Sequence, residues 1–191
     1  MSSLFYVIGP SGAGKDALMQ AARLALAGKP IVFAHRYITR EHSDASENFV
    51  QLSTTEFALR KSLGLFWLSW QSHQLDYAIG TEVRQWLQMG IRVVVNGSRQ
   101  ALPEVVRICA QDGIKLIPVW VHCEPSVLAQ RLRARGRENE QQIQERLERA
   151  KAFTMPAGAV MIDNSGALSH SVKQFLAYVQ TDLVDEVAHV D

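Results

Sequence analysis

The stretch GPSGAGK, residues 9–15, decides the fold of this chain because it matches the pattern GxxxxGK. An apolar run rich in β-formers, residues 4–8, precedes it, and an amphipathic helical pattern, residues 16–25, follows it. A glycine loop between a strand and a helix turns backbone N–H groups inward beside the positive end of the helix dipole, and so binds phosphate. The sequence therefore predicts a phosphate loop formed by Gly9, Pro10, Ser11, Gly12, Ala13, Gly14 and Lys15.

Two charged residues of opposite sign end this loop. Lys15 would supply a full positive charge to the β- and γ-phosphates of ATP. Asp16 stands where a serine or threonine usually coordinates Mg²⁺, and two interpretations stay open. Its carboxylate would hold Mg²⁺ directly or through water, or it would only favour the dipole of the first helical turn. A glycine-rich turn with a solvated lysine is the alternative for the whole stretch, and the flanking strand and helix argue against it.

Strand-like and helix-like segments alternate through most of the chain. This order predicts an α/β fold of the P-loop NTPase type, with a mainly parallel sheet flanked by helices. We interpret the chain as one kinase domain with a core of about residues 1–34, 91–130 and 153–191. Residues 35–90 break the rhythm with short polar strands and would form an acceptor-binding insertion, and about residues 131–152 would form a helical lid.

Local signals predict where single elements begin and end. Residues 31–40 form one continuous β-rich segment, and the polar residues 41–48 follow it as a loop. Ser53 has capping-box spacing at the start of a helix, and Thr81 is expected to cap the next one. The residues from about Val187 onward are expected to form a loose tail.

The composition limits the class of protein. Of the 191 residues, 47% are hydrophobic and 20% are charged, and the formal net charge is only +1. No global field therefore draws the chain to nucleic acid or to a membrane, and we find neither a signal peptide nor an apolar run that could cross a bilayer. Cys109 and Cys123 form no CxxC pair, which predicts buried thiols in a reducing compartment. We expect a cytoplasmic monomer or homodimer.

A group of arginines lies across a helix–break–helix pattern in the predicted lid. Positive groups around the transferring phosphate assist phosphoryl transfer, and a mobile lid that carries them would also exclude water. We expect Arg135 and Arg146 to be catalytic lid residues. Arg133 and Arg149 are expected on the surface. The alternative is a solvated helix pair in which the arginines pair with four glutamates, Glu138, Glu140, Glu145 and Glu148.

An acceptor that is itself a phosphate is anionic at neutral pH, so its kinase needs cationic sites rather than a general base. Arg36 and Arg40 would face one side of an extended segment, and Arg99 follows a strand end, where ligands gather in open α/β sheets. Asn96 would bind ribose hydroxyls or water on Mg²⁺, or would only be a turn residue. Tyr77 would bind a phosphate or pack in the core. The alternative for the arginines is ordinary surface charge.

These motifs resemble those of the guanylate kinase superfamily over nearly the whole chain. The chain departs from guanylate kinases at Asp16 and at residues 96–99, where guanylate kinases typically carry aspartates, and their acidic guanine-reading pair has no clear counterpart. The resemblance implies that Thr81 joins Tyr77 in the acceptor site. The shared motifs are residues 9–15, Thr39-Arg40, residues 77–81, residues 131–136, Glu145-Arg146-Leu147 and Ile162-Asp163-Asn164.

Within that superfamily, the departures are similar to the ribose 1,5-bisphosphate phosphokinases of bacterial phosphonate breakdown. This resemblance implies that ATP donates its γ-phosphoryl group to the 1-phosphate of ribose 1,5-bisphosphate, with Mg²⁺ as cofactor and a small phosphorylated sugar as partner. The alternatives are a guanylate or other nucleoside monophosphate kinase and, against the intact Lys15, a non-catalytic interaction module. The similar stretches are Gly14-Lys15-Asp16, residues 35–40, Ser46-Glu47-Asn48, Leu68-Ser69-Trp70, residues 95–99 and residues 135–139.

Overall fold

The structure is a computed structural model that describes residues 3–40, 48–72, 74–136, 138–152 and 154–187, with residues 181–187 as backbone only. Strands and helices alternate in it as predicted, apart from the stretch β2–β6 and the helix pair α5–α6. The elements in chain order are β1 (Ser3–Ile8), α1 (Lys15–Ala25), β2 (Ile31–Phe33), β3 (Arg36–Ile38), β4 (Phe49–Gln51), α2 (Thr54–Ser62), β5 (Phe66–Ser72), β6 (Leu75–Gly80), α3 (Glu82–Gln88), β7 (Arg92–Asn96), α4 (Leu102–Asp112), β8 (Lys115–His122), α5 (Pro125–Arg135), α6 (Glu140–Lys151), β9 (Val160–Asp163) and α7 (Leu168–Val187).

The chain divides into two compact units. The first is formed by Met1–Tyr6 with Arg23–Ile117, and the second by Val7–Ala22 with Pro118–Asp191. The predicted phosphate loop and the arginine-bearing helices α5 and α6 belong to the second unit. The candidate acceptor residues belong to the first.

A five-stranded sheet with the order β2-β7-β1-β8-β9 is the main sheet of the fold. The pairs β2/β7 and β8/β9 are parallel, with Ile31 opposite Arg92 and Val121 opposite Ile162. Every residue of β1 and β7 is buried, which is typical of parallel strands covered on both faces. The predicted α/β fold with a mainly parallel sheet is confirmed.

A four-stranded mixed sheet with the order β4-β3-β6-β5 lies within the first unit. On one of its faces Phe57 of α2 packs with Leu52, Ala78, Tyr37 and Phe66 in a small apolar cluster. Successive side chains of a strand point to opposite faces, so Arg36 and Ile38 lie on the other face. The helix α2 thus covers one face of this sheet, and the arginine of β3 belongs to the opposite face.

The prediction of one continuous segment over residues 31–40 is wrong. The segment forms two strands, β2 and β3, that belong to different sheets. The backbone N–H of Ala34 donates to the carbonyl of Val94, whereas the N–H of Arg36 donates to the carbonyl of Asn48. The chain therefore changes its pairing partner within two residues, although the β-forming character of its side chains continues.

The helix ends divide into confirmed and corrected predictions. The Ser53 hydroxyl accepts a hydrogen bond from the Glu56 N–H at 3.1 Å and caps α2 as predicted. Thr81 does not cap α3, because its backbone is helical (φ −65°, ψ −18°) and its side chain makes no capping bond. The break expected within the arginine-rich helix–break–helix pattern is confirmed, and it falls at Gly136, with φ +66° after α5.

Parts of two loop predictions fall outside the described residues. These are residues 41–47 of the expected loop and the tail after Val187. None of the described helices is both long and apolar enough to span a membrane.

Candidate active site

The predicted phosphate loop lies between β1 and α1 in the second unit. Gly12 and Gly14 have φ values of +90° and +84°, a conformation that residues with a Cβ rarely adopt. A Cβ on Gly14 would stand 2.5 Å from Nδ2 of Asn164, and one on Gly12 would stand 2.9 Å from a methyl group of Leu132. Both glycines are therefore required by backbone conformation and by close neighbours.

Lys15 opens α1 and turns its side chain back over the loop. Its Nζ donates hydrogen bonds to the carbonyl oxygens of Gly9 and Pro10, both at 2.9 Å. These bonds hold the ammonium group against the first residues of the loop. Binding of the β- and γ-phosphates by Lys15 stays a prediction.

The carbonyl oxygen of Ala13 is held by two side chains that come from distant parts of the sequence. Nδ2 of Asn164 donates to it at 2.6 Å, and Nη1 of Arg131 donates at 3.3 Å. Asn164 is buried, and its Oδ1 accepts no hydrogen bond from any described residue. Nη1 of Arg131 also lies 3.5 Å from the sulfur of Cys123. The middle of the phosphate loop is thereby pinned by an asparagine after β9 and an arginine of α5.

Neither role of these two residues follows from the motif analysis. The sequence places Arg131 in the arginine-rich segment and in the shared motif of residues 131–136, and Asn164 in the shared motif Ile162-Asp163-Asn164, without a specific role for either. A usable signal exists for Asn164, since it comes directly after a strand, where ligand-binding residues of open α/β sheets concentrate. No comparable signal marks Arg131.

Arg146 of α6 reaches the phosphate loop. Its Nη1 donates to the hydroxyl oxygen of Ser11 at 2.6 Å, and its Nη2 lies 2.9 Å from Oε1 of Glu138. Among the described arginines of α5 and α6, only Arg131 and Arg146 make a hydrogen bond to a loop residue. The structure thus brings one of the two predicted lid arginines to the nucleotide-binding loop.

The other predicted lid arginine, Arg135, is exposed in the last turn of α5. It forms no hydrogen bond or ion pair with the part of the chain that the structure describes. Arg133 forms a solvent-exposed ion pair with Glu140. Arg149 donates a hydrogen bond to the backbone carbonyl of Glu145 in its own helix. The expected surface positions of Arg133 and Arg149 agree with this arrangement.

Asp16 is half-buried in the first turn of α1. This position suits a carboxylate that holds a metal beside the phosphates, and it equally suits one that favours the helix dipole. The described residues contain no cluster of three or more histidine, cysteine or acidic side chains that could hold a metal alone. Mg²⁺ is commonly bound by one or two carboxylates together with substrate phosphates and water.

The candidate acceptor residues Arg36 and Arg40 lie at the four-stranded sheet of the first unit. Arg36 is in register with Phe49 of β4, and the guanidinium of Arg40 stands 5.6 Å from the centre of the Phe49 ring. Both arginines therefore belong to the same face of this sheet. Thr81 is exposed at the start of α3.

Tyr77 is buried and stacks on an aromatic neighbour of the next strand. Its ring centre lies 5.5 Å from that of Trp70, and the two planes differ by 9°. The pair is directly cross-strand and shares a face with Ile38, which is in register with Tyr77. This contact supports the packing interpretation of Tyr77.

Asn96 is the buried last residue of β7, and Arg99 lies in the loop that follows, which is built around a buried tyrosine. The Tyr6 hydroxyl donates to the Ser98 carbonyl at 3.1 Å and accepts from the Ser98 N–H at 2.9 Å. A Cβ on Gly97 would stand 2.1 Å from the Tyr6 ring, so the loop follows the ring closely. Burial raises the pKa of the Tyr6 phenol far above its usual value, and this hydroxyl stays a neutral anchor.

Solved structures with the same fold include two kinases. The guanylate kinase from Anaplasma phagocytophilum gives a TM-score of 0.62, with 95% of this chain and 85% of that chain covered. The gluconokinase from Sinorhizobium meliloti 1021 gives a TM-score of 0.51, with 96% and 97% covered. Their sequence identities to this chain are 13% and 21%, so the likeness concerns the fold alone. It confirms the predicted guanylate kinase-like architecture.

Curated relatives match the chain at much higher identity, although no protein-family model matches it. The "Ribose 1,5-bisphosphate phosphokinase PhnN" of Yersinia pestis is 47% identical over 191 residues, which covers 98% of this chain and 97% of the relative. The protein of the same name from Thiobacillus denitrificans is 49% identical, with 94% and 93% covered. A longer relative of that name from Laribacter hongkongensis is 49% identical, and the match spans 42% of its length. The chain therefore belongs to the ribose 1,5-bisphosphate phosphokinase family.

Proposed function

We propose that this chain transfers the γ-phosphoryl group of ATP to the 1-phosphate of ribose 1,5-bisphosphate, which gives 5-phosphoribosyl 1-diphosphate and ADP. The observation that carries the proposal is the phosphate loop, with Lys15 bonded across it and Arg146 in contact with Ser11. The relatives of that name, 47% and 49% identical over nearly their whole length, support the choice of acceptor.

The reaction requires charge neutralisation more than covalent help from the protein. An oxygen of the acceptor's 1-phosphate attacks the γ-phosphorus of ATP, and the bond from that phosphorus to the β,γ-bridging oxygen breaks. ADP leaves with the electron pair, and no proton has to be removed from the acceptor because its oxygen is already ionised. Lys15 and Arg146 stand at the loop where the transferring group and the leaving oxygen would carry this negative charge.

We assign Mg²⁺ to Asp16 together with the phosphate oxygens of the nucleotide. The half-buried carboxylate at the start of α1 is a hard oxygen ligand, which suits this ion. The ion, when bound, neutralises charge on the β- and γ-phosphates.

The acceptor is proposed to bind to residues of the first unit. Arg36 and Arg40, on one face of the four-stranded sheet, would bind one phosphate of the sugar as planar donors to its oxygens. Asn96 at the end of β7 and Arg99 after it would contact the second phosphate or the ribose hydroxyls. Thr81 completes the proposed contact set, and Tyr77 would support it by packing against Trp70.

We also propose the division of labour suggested by the sequence: a core, an acceptor-binding insertion over about residues 35–90 and a lid over about residues 131–152. The contact of Arg146 with Ser11 supports a lid that acts on the phosphate loop. Arg135, exposed beside the α5–α6 break, remains a candidate to join the site when a nucleotide is bound. The two free cysteines, both buried, support a reducing compartment such as the cytoplasm.

The test is an ADP-release assay with ATP and Mg²⁺, in which ribose 1,5-bisphosphate and GMP are offered separately and the product is identified. We expect turnover on the sugar and formation of phosphoribosyl diphosphate. Lys15→Ala should abolish turnover, whereas Lys173→Ala, at an exposed lysine of α7, should not. Rapid phosphorylation of GMP with none of the sugar would replace this proposal with a nucleoside monophosphate kinase.

A further inference from the structure

Glu138 lies between α5 and α6, next to the residue that caps α6. Gly136, in the left-handed conformation, ends α5, and Asn139 caps α6. Asn139 Oδ1 accepts from the Gln142 N–H at 2.9 Å, and the Gln142 side chain accepts from the Asn139 N–H at 2.9 Å. This reciprocal capping box fixes the first turn of α6. The residue directly before it, Glu138, therefore has a defined position.

The ion pair of Glu138 with Arg146 is withdrawn from solvent. The side chains of Glu138 and Arg146 are 8% and 22% exposed. The neighbouring pair of Arg133 with Glu140 is 54% and 66% exposed, and that of Lys151 with Glu148 is 56% and 58% exposed. Charges that are shielded from water interact more strongly and more specifically than exposed ones. Of the described ion pairs in α5 and α6 and the link between them, the pair of Glu138 with Arg146 is the least exposed, and it therefore restrains the arginine side chain most.

The two terminal nitrogens of Arg146 contact different residues. Nη2 faces Oε1 of Glu138 at 2.9 Å, and Nη1 donates to the Ser11 hydroxyl at 2.6 Å. The guanidinium is planar and rigid, so fixing one nitrogen also fixes the direction of the other. The carboxylate of Glu138 thus aims Arg146 at the phosphate loop.

We propose that Glu138 is the positioning residue of Arg146 in phosphoryl transfer, an inference that rests on the proposed function of the phosphate loop. Glu138 would act through its ion pair with Arg146. It orders the guanidinium in advance, so that the positive charge stands ready where negative charge develops on the transferred group. The other carboxylate oxygen, Oε2, is buried and finds no hydrogen-bond partner among the described residues. Among the described residues, Arg146 is the cation that pairs with Glu138.

A double-mutant cycle tests this coupling in the full chain. The variants are Glu138→Ala, Arg146→Ala and the double variant, with Glu138→Gln as the conservative replacement and Glu140→Ala as the exposed control. We expect Glu138→Ala to lower kcat by on the order of tenfold or more, because misplacing a charge at the transferring phosphate is costly. The KM for ATP should change far less. Glu138→Gln, which keeps an acceptor oxygen, should restore part of kcat, and Glu140→Ala should behave as wild type.

The decisive comparison is made in the Arg146→Ala background. If Glu138 acts through Arg146, then Glu138→Ala added to Arg146→Ala lowers kcat no further. Independent, multiplicative losses, or an unchanged kcat in Glu138→Ala alone, would overturn the proposal. ADP release can be followed with the sugar, with GMP or with water as acceptor. If the proposed acceptor is wrong, the wild-type protein will release ADP with another acceptor instead of the sugar. The double-mutant cycle can then be measured with the acceptor that the wild type uses.

Discussion

Nδ2 of Asn164 donates a hydrogen bond to the carbonyl oxygen of Ala13 at 2.6 Å, across 151 residues of sequence. The bond joins the end of β9 to the middle of the phosphate loop. Asn164 and Arg131 together hold this carbonyl in place, which favours a backbone conformation whose N–H groups can face a bound phosphate. The loop is thus shaped by side chains that do not belong to its motif.

Replacing Asn164 should therefore weaken nucleotide binding in a graded way. Asn164→Ala removes one buried hydrogen bond, worth about 1 kcal/mol. Asn164→Asp should cost more, because a carboxylate oxygen would then face the carbonyl oxygen of Ala13. The measurement is the Kd of a non-hydrolysable ATP analogue, with the free energy of unfolding determined alongside. Equal affinities for the aspartate variant and wild type would show that this contact does not shape the loop.

Gly14→Ala should damage the same loop by another route. The new Cβ would stand 2.5 Å from Nδ2 of Asn164, at a φ of +84° that costs an alanine roughly 1–2 kcal/mol. We expect loss of measurable ATP binding together with a lower denaturation midpoint. Gly166→Ala is the matched control, since a Cβ there meets nothing within 4 Å among the described atoms. Wild-type affinity in Gly14→Ala would mean that the loop tolerates another backbone path.

The secondary structure of the second unit could be predicted because its signals are local. The apolar periodicity of α1, the proline and glycine that bound α5, and the alternation of strands with helices depend on neighbouring residues only. The chain's change of sheet at Ala34 and His35 could not be predicted in this way. The residues before and after this point both favour β-structure. They differ only in their backbone hydrogen-bond partners, which are Val94 for Ala34 and Asn48 for Arg36.

The candidate site shows the same limit. The loop residues and Lys15 follow from a motif, because the chain itself places them together. The roles of Arg131 and Asn164 depend on contacts with Ala13 over 118 and 151 residues of sequence, which no local pattern encodes. The choice of Arg146 over Arg135 for contact with Ser11 is also set by how α5 and α6 pack. The pattern of charges in the sequence does not distinguish Arg135 from Arg146.

The two cysteines should be unreactive in the folded protein. Burial raises the pKa of Cys109 to about 12, with the charge of Asp112 adding to the shift, and burial also raises the pKa of Cys123. We expect a thiol reagent at pH 8 to label neither residue until the protein is unfolded in urea, when both should react. Fast stoichiometric labelling of the native chain would contradict the buried positions of these thiols.

The same shifts set the direction of a pH effect on stability. A raised thiol pKa means that the folded state keeps a proton which the unfolded chain loses above about pH 8.5. The contribution of these thiols to stability is therefore complete below that pH and declines as the pH rises above it. Urea unfolding at pH 7.5 and pH 9.5 measures this decline, and Cys109→Ala should reduce it. A stability that rises over this range in the wild type but falls in the variant would reverse the assigned sign.

Asp16→Ala tests whether the acidic residue after Lys15 holds the metal. If Asp16 binds Mg²⁺, the variant should need a higher Mg²⁺ concentration for half-maximal turnover, and Asp16→Ser should restore much of the wild-type dependence through a hydroxyl ligand. If Asp16 only favours the dipole of α1, the Mg²⁺ titration stays unchanged and stability falls by about 0.3–1 kcal/mol. The two interpretations left open by the sequence thus differ in which of the two measurements moves.

Arg146→Ala and Arg135→Ala separate a contact present in the structure from one that would require lid closure. Arg146 touches Ser11, so its removal should lower kcat strongly, with a smaller effect on the affinity for ATP. Arg135 is exposed, and its removal lowers kcat only if nucleotide binding draws the end of α5 toward the phosphates. We expect both variants to lose kcat, Arg146→Ala more than Arg135→Ala. Arg149→Ala, on the surface of α6, is the control that should lose nothing. A wild-type kcat in Arg135→Ala with a clear loss in Arg146→Ala would place the catalytic charge on α6 alone.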